Sequence, residues 1–308
     1  MQMKIIITFF VITCSIGLIA SPNDAFADPT FVSPPFDISD QETKPRDVTF
    51  NTDGTKMFVL GDLGIDVNEY ACSTGFDVST CSFTSPPFSL RGETVSPASF
   101  TFNTDGTKMF VLEAVAPLKI YEYACSTGFD VSTCSFTIEY GSVHQSGYVS
   151  GLAFSTDGKK MYVIGHNDDE ITRYTLSTGF DLSSTVTLVV PAFSISNDVE
   201  STPYDVEFST DGKKMYVIGG SSKAVNEYTC STGFNLPTCS FTDSFGTGSK
   251  EAHAMGLAFS TDGTNMFVIG IEGLDVNRYT LEIGFDLDGT SVATTEEKVK
   301  KSSDCYDC

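Results

Sequence analysis

Apolar and polar positions alternate along most of the chain in short runs, cut at regular intervals by Asp-Gly and Ser-Thr-Gly. In GLAFSTDGKKMYVIG (151–165), GLAFS alternates and ends at an Asp-Gly pair, which signals a hairpin turn. KMYVIG is a continuous apolar run, as expected of a strand covered on both faces. A variable loop follows, then ITRYTL, the connection STGFDLSS and a last β-rich run, TVTLVV. The pattern predicts four short strands. Thr, Val, Phe, Tyr and Gly dominate, and no window holds the 3.6-residue apolar period of a helix.

The same pattern returns along the chain. NTDGTKMFV at Asn51 and Asn103, STDGKKMYV at Ser155 and Ser209 and STDGTNMFV at Ser260 place their aspartates at 53, 105, 157, 211 and 262. The steps are 52, 52, 54 and 51 residues. Five tandem four-stranded units of this length match the blades of a β-propeller. The units run over about 45–95, 96–148, 149–201, 202–252 and 253–296.

Positions shared by all five units are candidates for blade-to-blade packing. They are Phe50, Phe102, Phe154, Phe208 and Phe259 on the first strand, and Met57, Met109, Met161, Met215 and Met266 on the second. Tyr70, Tyr123, Tyr174, Tyr228 and Tyr279 lie on the third, followed by Phe76, Phe129, Phe180, Phe234 and Phe285. The repeated aspartates are expected to cap their own turns. Residues 29–39, PTFVSPPFDIS, share F-x-S-P-P-F with the end of the first unit, whereas the fifth unit lacks a good last strand. An N-terminal strand that completes the last blade would close the ring and leave no open edge. The fold expected is all-β: a five-bladed propeller spanning 28–296.

The stretch STDGKKMYVIG resembles the core of YVTN-type and related secreted propeller repeats, F-S-P-D-G-K-x-L-Y-V, with Thr in place of Pro. The resemblance covers roughly residues 45–290. It implies propeller architecture, which hosts enzymes, ligand binders and scaffolds alike. The related lactonase-type propellers imply a hydrolase, but no matching catalytic set is present. The chain has no Trp, which disfavours tryptophan–aspartate repeats and quinone-dehydrogenase propellers.

EYACSTGFDVSTCSFT occurs twice without change, at 69–84 and 122–137. Cys72/Cys81, Cys125/Cys134 and Cys230/Cys239 share one spacing, while the third and fifth units have Leu176/Thr185 and Leu281/Thr290. Positions that change together are expected to touch, so the spacing predicts three disulfides across the hairpin between third and fourth strands. Such bonds persist in oxidising surroundings. Lys4, the apolar run 5–20 and AFA (25–27) fit a signal peptide cleaved before Asp28. The polar tail 297–308 ends in Cys305 and Cys308, read as an intra-tail disulfide, an intermolecular bond or a truncated continuation.

Net charge is −22, and removal of 1–27 takes one charge of each sign. So acidic a surface repels nucleic acid and anionic lipid. Neither nucleic-acid binding nor membrane insertion after signal cleavage is expected.

Function should lie where the units differ, in the loops between second and third strands and between blades. His144, His166 and His253 all fall there, with Asp168, Asp169 and Glu170 beside His166. Three imidazoles and the carboxylates Asp168 and Asp169 suit copper or zinc, and the carboxylates alone suit calcium. No G-x-S-x-G nucleophile turn and no phosphate loop is present. The leading expectation is a secreted or cell-surface binding module without catalysis or cofactor. It would meet a protein or a surface glycan through Tyr140, Tyr148, Tyr204 and Glu170. The alternative is a copper or zinc redox or hydrolytic enzyme, and the third reading is a lactonase-like hydrolase.

Overall fold

Twenty strands of the described residues form five antiparallel four-stranded sheets. These sheets are the blades of a five-bladed β-propeller. A computed structural model describes residues 27–141, 143, 147–195 and 200–288. Residues 1–26, within the expected signal peptide, His144 and the tail with Cys305 and Cys308 lie outside them.

Inner strands are Pro45–Phe50, Pro97–Phe102, Val149–Phe154, Pro203–Phe208 and Ala254–Phe259. In blade three the others are Lys160–Gly165, Glu170–Leu176 and Val186–Ser194, which are the runs the pattern predicts. Strand Thr30–Asp37 pairs with Asp275–Thr280 and supplies the outer strand of blade five. The N-terminus therefore closes the ring, as the shared F-x-S-P-P-F motif implies.

The shared apolar residues bury the interfaces between blades. Each first-strand Phe packs on an aromatic of the preceding blade: Phe102 on Phe58 at 4.9 Å, Phe154 on Phe110 at 4.7 Å, Phe208 on Tyr162 at 4.6 Å and Phe259 on Tyr216 at 4.5 Å. Phe50 on Phe267, at 4.3 Å, makes the same contact across the closure. All five second-strand methionines are fully buried. Burial of a side chain of this size contributes about 1.5–3 kcal/mol, and the series is repeated at every interface.

The Asp-Gly turns have more structure than a two-residue hairpin. Residues 51–55 connect the strands, and the Asp53 carboxylate accepts the Thr55 N–H at 3.0 Å. Its counterparts Asp105, Asp157, Asp211 and Asp262 do the same. Gly54 has φ +71°, and its carbonyl accepts the Phe76 N–H at 3.0 Å. A Cβ at Gly54 would lie 2.4 Å from the Phe76 ring. The Phe of each Ser-Thr-Gly-Phe segment, and Phe285 of Glu-Ile-Gly-Phe in blade five, thus buttresses the turn, with a left-handed backbone in all five copies.

Three disulfides join Cys72–Cys81, Cys125–Cys134 and Cys230–Cys239. In blade three, Leu176 faces Val186 and not Thr185. Without the disulfide and the short 3₁₀ turn of blades one, two and four, the connection there lengthens by one residue and buries Leu176 with Leu182. Polar ties also cross between blades. The Lys56 and Lys108 ammonium groups donate to the Phe129 and Phe180 carbonyls of the next blade while pairing with Glu69 and Glu122. Arg278 reaches Asp77 at 3.2 Å across the closure.

Candidate binding site at the loop-face mouth

The topology sorts the connections onto two faces. Asp-Gly turns and Ser-Thr-Gly-Phe segments share one, the turn face; the variable loops share the other, the loop face. On the loop face a buried carboxylate staples each fully described loop pair. Glu42 accepts the Gly64 N–H at 3.2 Å, Glu200 accepts Thr202 N–H at 2.7 Å and Glu251 accepts Gly273 N–H at 2.9 Å. Blade two has Thr94 at that position and Glu113 where its neighbours have Gly61, Gly219 and Gly270. Glu113 then accepts the Thr94 hydroxyl at 2.5 Å, so the carboxylate fills the same space from the opposite strand. These acids hold loops and are not free for a ligand.

A second engaged set surrounds the channel. The inner strands expose unpaired edge N–H groups to the axis, and each must find an acceptor. Asp47 accepts Val48 N–H at 2.7 Å, Phe100 N–H at 2.9 Å and the Ser99 hydroxyl at 2.7 Å. Ser99 Oγ accepts Leu152 N–H at 3.2 Å. Asp205 takes Val206 N–H at 2.8 Å and Leu257 N–H at 2.9 Å. Gly151 and Gly256, at the same strand position, leave room for these aspartates: a Cβ on Gly256 would lie 2.7 Å from the Asp47 Cα. These bonds tie blade one to two, two to three and four to five, and the Ser150 hydroxyl, donating to the Pro203 carbonyl at 2.9 Å, ties three to four. Burial pushes the Asp47 carboxyl up to about 7, against the pull of its hydrogen bonds. Burial and the nearby Asp47 raise Asp205 well above the usual range.

Beyond these, the loop-face mouth gathers groups that the repeat does not explain. The His166 ring stacks on Tyr204 at 5.1 Å, meets Tyr148 edge-on at 5.6 Å and has Nδ1 3.2 Å from the Pro203 carbonyl. Arg46, on the inner strand of blade one, pairs with Asp62 at 2.8 Å. Its Nε is buried without an acceptor among the described residues. Burial pushes the Tyr148 phenol up, and the Arg46 charge partly offsets this. The mouth carries three aromatic rings and the paired Arg46 guanidinium and Asp62 carboxylate, drawn from blades one, three and four.

The residues singled out in the sequence separate in space. Tyr148, His166 and Tyr204 come together. Tyr140 is instead half-buried between blades two and three, edge-on to Tyr174 at 6.0 Å. His253 stands on blade five with Nδ1 2.7 Å from Glu272, both side chains half-exposed. Glu170 opens a third strand, and Asp168 lies in the turn before it. Asp169 has a left-handed φ of 51°, and burial with Glu200 beside it raises its carboxyl. Among the described residues no three His, Cys, Asp or Glu side chains gather closely enough to hold a metal ion. Sequence reasoning missed Arg46, Asp47, Asp62 and Asp205. The signal was present in the inner strands, where PRDVTF and PYDVEF put an acid at an otherwise small position.

No family profile and no curated protein sequence matches the chain. Solved structures do resemble it. A luciferin-regenerating enzyme superposes with a TM-score of 0.50 at 11% identity, covering 84% of this chain and 99% of the other. A functionally unknown protein from Desulfotomaculum acetoxidans gives 0.46 at 13% identity, covering 73% and 62%. A Bacteroides uniformis protein, provisionally described as a 6-phosphogluconolactonase, gives 0.45 at 13%, covering 72% and 63%. The chain spans less than two thirds of the length of these last two. At such identities the likeness is one of fold alone.

Proposed function

We propose that the protein is a secreted or cell-surface binding module without catalytic activity, and that its contact surface is the loop-face mouth. One observation carries this reading. The polar side chains shared by the repeats are engaged in turns, staples and blade ties, whereas Tyr148, His166, Tyr204 and Arg46 converge at positions the repeat leaves variable. Clustered aromatic rings beside an arginine are the composition of binding hot spots. Tyr and Arg suit both a protein surface and a glycan, offering flat apolar faces with hydrogen-bond donors at their edges. The three disulfides support an oxidising compartment. Among the described residues no helix is long and apolar enough to cross a membrane.

The test is binding of mature protein, residues 28–308, to a glycan array and to surface extracts of its source. Wild-type protein should bind, and Tyr204→Ala and Arg46→Ala should each weaken binding at least tenfold, about 1.4 kcal/mol or more, with unchanged melting. Equal binding by both variants would move the contact surface elsewhere.

A further inference from the structure

The turn-face end of the channel holds a cavity of about 300 Å³. Its rim is Thr52, Thr104, Thr156, Thr210 and Thr261, one threonine from each Asp-Gly turn. Two of the hydroxyls link neighbouring turns, Thr261 to the Thr52 carbonyl at 2.6 Å and Thr156 to the Thr210 carbonyl at 3.5 Å. The walls include the first-strand phenylalanines Phe50, Phe102, Phe208 and Phe259. One lining residue is charged, Glu207.

Glu207 breaks the repeat. The equivalent inner-strand positions are Thr49, Thr101, Ala153 and Ala258, all uncharged and small. No described cation pairs with its carboxylate. The adjoining turn-face hollow that includes Ala153 is lined by the same glutamate and adds no basic group. A scaffold needs none of this: Thr or Ala closes the other four blades.

We propose that this cavity binds an alkylammonium ion, with the Glu207 carboxylate as its counter-ion. An ammonium group donates three hydrogen bonds. The carboxylate takes one, and the threonine oxygens of the lining offer further acceptors. The alkyl stem lies against the phenylalanine walls, where aromatic faces also attract the positive charge. A divalent metal fits less well, because no second carboxylate lines the cavity and Asp47 and Asp205 are engaged with backbone N–H groups. The net charge of −22 raises the local concentration of cations.

Burial, with the Asp47 charge adding to it, pushes empty Glu207 up to about 8. The other ionisable groups facing it are Asp47 and Asp205 on the neighbouring inner-strand positions, and no base lines the cavity. Below that value the carboxyl must lose its proton when the cation enters. Affinity should therefore rise with pH, by up to about tenfold per unit, until it levels near pH 8.

The experiment is calorimetric titration of mature protein with n-butylammonium chloride at constant ionic strength, to about 50 mM, well above the ~1 mM dissociation constant of a 4 kcal/mol contact. Saturable one-to-one binding is expected, with none by n-butanol, and it should strengthen from pH 6 to about pH 8. Glu207→Gln and Glu207→Thr, the latter restoring the residue of blades one and two, should both abolish it while melting no lower than wild type. Tyr204→Ala, at the opposite mouth, should bind as wild type. Absence of saturable binding, or binding retained in both Glu207 variants, would overturn the proposal. Tighter binding of calcium chloride lost in the same variants would overturn it in favour of a metal.

Discussion

Asp47 and Asp205 each bond to the next blade around the axis and occupy the space that side chains at Gly256 and Gly151 would fill. The arrangement makes glycine obligatory at both positions for steric reasons. Gly256→Ala should cost about 1–3 kcal/mol in chemical denaturation, as overpacking does, because the new Cβ meets the Asp47 backbone at 2.7 Å. An alanine variant as stable as wild type would mean that the aspartate can move aside. None of this is legible in one strand at a time. The sequence shows an acid in PRDVTF and PYDVEF, but only the ring shows that its partner lies one blade away.

Titration at the residue scale gives opposed limbs. Folded Asp47 and Glu207 sit at about 7 and about 8, above their ordinary carboxyl values. The folded state therefore holds these protons more tightly than the unfolded chain. Their contribution is fully present below the unfolded values and is lost as pH rises through about 7 to 8. The turn aspartates Asp53, Asp105 and Asp157 are lowered by their hydrogen bonds to Thr55, Thr107, and Ser155 with Lys159. Their contribution is present above the unfolded values and is lost as pH falls through the lowered ones. Melting temperature should peak in mildly acidic solution and fall toward pH 8. Glu207→Gln should flatten the upper limb, and a profile unchanged by that substitution would refute the assignment.

At the scale of the element, the cysteine pairs were legible because units within one chain act as each other's controls. The pairs bridge the hairpins with the 3₁₀ turn, and in blade three a buried Leu176 stands where blades one, two and four have the first cysteine. Replacing Cys230 and Cys239 together by serine should cost roughly 2.5–3 kcal/mol, the entropy of a ten-residue loop, read from denaturant unfolding under non-reducing conditions. A loss below about 0.5 kcal/mol would show that the buried contacts of the hairpin dominate. The Asp-Gly turns were legible as turns. Their dependence on a left-handed phenylalanine some twenty residues later was not, because it is a contact between two connections.

Across the whole molecule, blade count and closure followed from spacing and from F-x-S-P-P-F, since a ring repeats its packing problem at every interface. Removing residues 28–39 should strip blade five of its outer strand, leave Asp275–Thr280 as an open edge and produce association on size-exclusion chromatography. A monomer of unchanged stability would contradict the closure. What the spacing could not give was the contents of the two channel mouths. The three histidines share a loop set in sequence, yet His166 joins two tyrosines while His253 joins Glu272 on another blade. The chemistry of each mouth depends on which variable positions meet in space.

A partner held at the loop-face mouth would lie within reach of Tyr204 and out of reach of the turn face. A photo-crosslinking residue placed at Tyr204 and, in a second variant, at exposed Ser79 on the turn face tests it within the source culture. Discrete crosslinked products from position 204, absent at position 79 and competed by unlabelled protein, are the predicted result. Products from position 79 alone would contradict the account and place the working face at the other end of the channel.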